Sequence, residues 1–151
     1  MPDFSTSIDI DAPPEVVFAY LVTAEGILSW MGEHAELEPY PGGRFAVDIN
    51  GVPFRGQYLE IDPPHRVVVS WGIAGRDDFA PGSSRVEFTL RPTATGTALS
   101  LLHLDLPDAA KRTHATGWSH YLGRLRLVCG GADPGPDSWI PGREPEALRR
   151  T

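Results

Sequence analysis

Residues 41–71, PGGRFAVDINGVPFRGQYLEIDPPHRVVVSW, constrain the fold more than any other stretch of the chain. Runs of alternating apolar residues are separated by Asn50-Gly51 and by Asp62-Pro63-Pro64, both of which are turn sequences. The segment therefore reads as three consecutive strands joined by tight turns. Gly42, Gly43, Gly51 and Gly56 punctuate it, and an interior glycine such as Gly56 marks a bend or a close backbone approach within a sheet. The pattern predicts a curved sheet, and a curved sheet needs something in its hollow.

Residues 107–129, PDAAKRTHATGWSHYLGRLRLVC, supply it: they are long enough for a helix of about six turns. Trp118, Leu122, Leu125 and Cys129 recur at helical spacing, with His114, Tyr121 and Val128 on the margins of that stripe and Lys111, Arg112, Arg124 and Arg126 on the other face. Gly117 and Gly123 each cost roughly 1 kcal/mol against alanine in a helix interior, so close packing is expected there. Gly130-Gly131 provides the stop.

The remaining elements follow from the same two periods. Residues 4–10 alternate as a half-buried strand, and Pro13-Pro14-Glu15 opens a short helix. Thr23 can cap a second one that ends near Trp30. A meander runs through 44–50, 53–61, 66–73, 84–91 and 97–104, with the period of two cleanest where Val86, Phe88 and Leu90 oppose Arg85, Glu87 and Thr89. The fold class is α+β: an antiparallel sheet of about six strands, two short helices after the first strand, and a long C-terminal helix covering one face. Residues 1–131 form the domain. Residues 132–151, rich in proline and charge, read as a surface tail that Trp139 pins down.

Composition excludes several functions. At 151 residues the chain builds one domain. A net charge of -7, with no concentrated basic patch, argues against nucleic acid and against an anionic membrane surface. One cysteine forbids an internal disulfide, and no apolar run approaches the ~20 residues of a membrane span, so a soluble cytoplasmic protein is expected.

The phrases APPEVVFAYLV, Trp30, PGGRF at 41–45, GQYLEIDPPHRVVVSW at 56–71, GTALSLLH at 96–103, GWSHYLGRL at 117–125 and GGADPGPDSW at 130–139 resemble, in order and spacing, the START-like (SRPBCC) superfamily. Within it they are most similar to the branch named for the activator of the ninety-kilodalton heat-shock protein ATPase. The resemblance implies a helix-grip fold in which a curved sheet wraps a long C-terminal helix around an elongated apolar cavity. It also implies a choice among small-molecule carriers, polyketide cyclases or aromatases, and co-chaperone domains. The eukaryotic co-chaperones carry a separate N-terminal domain, so a chaperone partner ranks last among the expectations.

Candidate site residues follow. Trp30, Tyr58, Trp71 and Trp118, with Phe88, Leu101 and Leu122, either line a ligand space of a few hundred Å³ or simply fill the core. His103 shares the parity of Leu99 and Leu101, so its imidazole either meets a ligand or serves as a structural histidine bonded within the core. His114 could meet it across the cavity mouth, Tyr121 could move protons beside them, and His120 is expected to be solvated. Arg55 would hold a carboxylate if it pointed inward, which strand parity leaves open. No metal-ligand spacing occurs among the histidines, no nucleophile elbow or phosphate loop is present, and no cofactor is implied. The expected partner is a hydrophobic or aromatic small molecule, with self-pairing as a homodimer left open.

Overall fold

The computed structural model describes residues 3–137. The elements run β1 (Phe4–Ile10), α1 (Pro14–Val22), α2 (Ala24–Leu28), β2 (His34–Leu37), β3 (Arg44–Ile49), β4 (Val52–Asp62), β5 (Arg66–Ile73), β6 (Ser84–Pro92), β7 (Thr97–Leu104) and α3 (Asp108–Cys129). All neighbouring strands pair antiparallel, in the order β1-β7-β6-β5-β4-β3-β2. The sheet has seven strands, against the six or so expected. The addition is β2, whose His34–Leu37 lies along Asp48–Phe45 of β3 and forms one edge.

Local sequence explains the joints. Asn50 and Gly51 both take positive φ, 47° and 87°, as a two-residue hairpin with the right-handed strand twist requires. Thr23 closes α1 and opens α2: its Oγ1 donates to the Ala19 carbonyl at 2.8 Å and accepts from Gly26 N at 3.0 Å. Gly131 turns the chain out of α3 at φ 87°. At Gly56 any side chain would run into the Ser70 carbonyl, and at Gly72 into that of Ala80, so β4, β5 and the 74–83 loop approach one another where only glycine fits. Gly123 corrects an expectation: a methyl there would meet nothing within 4 Å.

The core is a single cluster between the sheet and the helices. Leu99, Leu101, Leu122 and Leu125 are fully enclosed, each contributing roughly 1.5–3 kcal/mol by leaving water. The α3 backbone comes nearest the sheet along β1. Over the middle strands the helix stands off, and large rings span the gap. Among the described residues no helix is long and apolar enough to cross a membrane.

The chain after α3 folds back along it. Arg124 donates from Nη1 to the Pro134 carbonyl at 3.3 Å and from Nε to the Trp30 carbonyl at 3.1 Å. Asp137 accepts from the Tyr121 hydroxyl at 2.6 Å and lies 2.9 Å from His120 Nε2, so His120 is partnered rather than merely solvated. Trp139, expected to anchor this segment, lies outside the described residues.

Candidate ligand-binding site

Two indole-to-imidazole hydrogen bonds organise the space between sheet and helix. Trp118 on α3 donates from Nε1 to His103 Nδ1 at 3.0 Å. An indole N–H can only donate, so the proton of neutral His103 sits on Nε2, which faces Ser84 Oγ at 2.8 Å. Ser84 in turn donates to the Trp71 carbonyl at 2.8 Å. Each polar side-chain atom in this Trp118–His103–Ser84 relay has a partner. Burial, and next the neighbouring His114, push the His103 pKa down to about 3, so the ring is neutral at physiological pH.

Trp71 on β5 makes the second such bond, donating to His114 Nε2 at 3.1 Å. That places the His114 proton on Nδ1, 3.1 Å from the Ala110 carbonyl one turn earlier. Burial pushes this pKa down to about 4, against the raising effect of the Ala110 carbonyl. The two imidazoles stand edge to face with centroids 5.3 Å apart. Around them Phe54 stacks on Trp71 at 4.7 Å, Trp118 lies 5.4 Å from Trp71, and Phe88 meets Trp118 edge-on at 5.9 Å.

The structure thus brings Tyr58, Trp71, Phe88, Leu101, His103, Trp118, Tyr121 and Leu122 together in the buried core, with His114 at its margin. Trp30 is equally buried but tied to the α1 side, its Nε1 donating to the Tyr20 carbonyl at 3.0 Å. Tyr58 donates to the Leu21 carbonyl at 3.1 Å, and burial raises its pKa. Tyr121 has its pKa raised by burial and then by the Asp137 carboxylate. Burial likewise pushes the Cys129 thiol up to about 11, which leaves it un-ionised. Arg55 points away from the helix: its Nη1 donates to the Phe54 carbonyl at 2.8 Å and pairs with Asp48 at 2.8 Å on the outer face.

Where the rings end, a pocket of about 190 Å³ opens between the first turns of α3, the adjoining ends of β4 and β5, and a single 3-10 turn at Asp77–Phe79. Phe54, Ile73, Phe79, Ala110 and His114 are among its walls. Arg76 and Asp78 stand at its rim in a two-point ion pair of 2.8 and 2.9 Å. Sequence reasoning missed Phe79, which is 3% exposed. The signal was a lone ring in the otherwise polar stretch GRDDFAPG.

A larger groove of about 880 Å³ runs across the outer face of β2–β5, floored by Ala46 and Ser70. Its charged walls satisfy each other: Arg44 with Glu36 at 2.7 Å, and Arg55 with Asp48, whose Oδ1 meets the guanidinium as an ion pair without a well-aligned hydrogen bond. Among the described residues no three His, Cys, Asp or Glu side chains converge as metal ligands.

A twisted antiparallel sheet laid over one long C-terminal helix, with two short helices after the first strand, is the helix-grip class of α+β protein. The chain belongs to the family described as Activator of Hsp90 ATPase homolog 1-like protein, whose model matches residues 11–130. It is similar to the AHSA1-like protein of Rhizobium etli, solved by NMR, at 44% identity over 95% of this chain and 90% of that one, with a TM-score of 0.72. Protein MLL2253 of Mesorhizobium loti shares the fold at 24% identity, over 86% and 98% of the two chains, with a TM-score of 0.77. So does a Colwellia psychrerythraea protein solved as the Aha1 dimer, at 17% identity, 83% and 94% coverage and a TM-score of 0.74. Comparison with curated proteins finds no match.

Proposed function

We propose that this domain binds a small hydrophobic molecule at the mouth between sheet and C-terminal helix. One observation carries the reading: a pocket of about 190 Å³ walled by Phe54, Ile73, Phe79 and His114. Burial of apolar surface would supply the affinity, and the Phe79 turn would cover the occupant.

The alternative reading, a cyclase or aromatase that moves protons in the same space, has less support. His103 and His114 have both nitrogens engaged with protein groups and are held neutral, so neither offers a free acid or base. Regulation of a chaperone through the outer surface ranks third. The likeness to a protein solved as a dimer supports pairing of two copies as compatible with either reading.

The test is a titration of labelled protein with benzene, toluene and cyclohexane, followed by NMR. Saturable shifts at the Phe79 and His114 amides and the Trp71 indole N–H are expected. Shifts confined to the outer groove, or none up to solubility, would dismiss the mouth as a binding site.

A further inference from the structure

We infer that His114 sets the size of what the mouth pocket admits, and that the pocket's ligand class is a single uncharged ring. This deepens the proposed function and rests on the mouth being a binding site.

The imidazole of His114 forms a partition. On the pocket side its ring meets Phe79 at 5.3 Å and Phe54 at 6.0 Å between centroids. On the interior side it meets His103 at 5.3 Å and Trp71 at 6.3 Å. Hydrogen bonds at both nitrogens, from Trp71 and to the Ala110 carbonyl, fix its orientation. The partition is therefore pinned rather than free to swing, and what it leaves for an occupant is mainly carbon surface.

Volume then decides the ligand's size. An apolar cavity of about 150 Å³ accepts a benzene molecule. The mouth pocket, at about 190 Å³, has room for one ring and a small substituent. A fused bicyclic system must either project past the rim into solvent or take the space that the imidazole occupies, and it loses burial or packing either way.

Charge decides the rest. Burying an ion is costly unless a partner waits for it. Here His114 is neutral with no open hydrogen-bonding position. Thr113 spends its hydroxyl proton on the Ala110 carbonyl at 3.2 Å, and Arg76 and Asp78 at the rim neutralise one another. An uncharged ring meets no penalty from these groups, whereas a carboxylate or ammonium would.

The full chain is titrated with toluene, naphthalene and benzoate, with the Trp71 indole N–H and the Phe79 amide as NMR reporters. Wild-type protein is expected to bind toluene at least about tenfold more tightly than either of the others. His114→Ala, which removes the partition, is expected to raise naphthalene affinity about tenfold relative to toluene. His114→Asn, which shortens the side chain but keeps a polar partner for the indole, should move selectivity the same way and serves if the alanine variant does not fold. Naphthalene or benzoate matching toluene on wild-type protein overturns the inference even if neither variant folds. So does unchanged selectivity in a folded variant. In both cases the mouth remains a binding site. No saturable response to any probe at these reporters removes the proposed function itself.

Discussion

Lowering the pH from 8 to 5 should destabilise this protein through its two buried imidazoles. His103 and His114 have folded-state pKa values of about 3 and about 4, against 6.5 for an ordinary histidine. Because the folded values are depressed, the unfolded chain takes up protons first. Stability is fully present above about pH 6.5, falls as pH drops through the window between 6.5 and the folded values, and levels off below them. At about 1.4 kcal/mol per pH unit, going from 6.5 to 5 removes about 2 kcal/mol for each ring and about 4 kcal/mol for both. That is a large part of a typical domain's margin of 5–15 kcal/mol. The assay is urea unfolding at pH 8, 7, 6 and 5 on wild type and His103→Gln, which cannot titrate yet still offers a donor and an acceptor. Asp3 and Asp78, whose carboxyls are held below their usual range mainly by the Leu106 amide and by Arg76 respectively, affect both proteins alike and cancel in the comparison. Wild type should lose about 2 kcal/mol more than the variant over that range. Equal losses would refute the argument, since His103 would then be no harder to protonate folded than unfolded.

Two further outcomes are expected. Gly56→Ala drives a methyl into the Ser70 carbonyl beside the irregular pairing of Tyr58 and Glu60, so a loss of about 2 kcal/mol or more is predicted. A melting temperature within error of wild type would show that the two strands can separate. Asp137→Ala removes the acceptor of the Tyr121 hydroxyl and the partner of His120. It should cost about 1 kcal/mol and speed proteolysis within 131–137, and cleavage at the wild-type rate would show that Asp137 is not what holds this segment.

Much of the fold was legible because its signals are periodic. The alternation of β3 and β6 and the apolar stripe of α3 each repeat often enough to outvote exceptions. β2 was not legible: four residues with only Ala35 and Leu37 partly buried give too short a pattern. The face of Arg55 was hidden because Pro53, Gly56 and the register shift between Tyr58 and Glu60 break the period within β4. In the site, the parity of His103 was readable. Its partners Ser84 and Trp118 come from separate elements, and side-chain direction across a gap has no linear signature. The enclosed hollow implied by family resemblance was the hardest point, because the same rings can line a space or occupy it. That choice depends on the small difference between helix–sheet spacing and ring volume, and here most of the space is taken.

The hydrogen bond joining Trp71 to His114 spans 43 residues of chain and ties the histories of the two positions together. Exchanging either one alone strands a buried donor or acceptor, whereas exchanging both for well-fitting apolar residues need not. Across a lineage of such proteins the two sites should accordingly drift as a couple, and a descendant that has lost one should have lost the other.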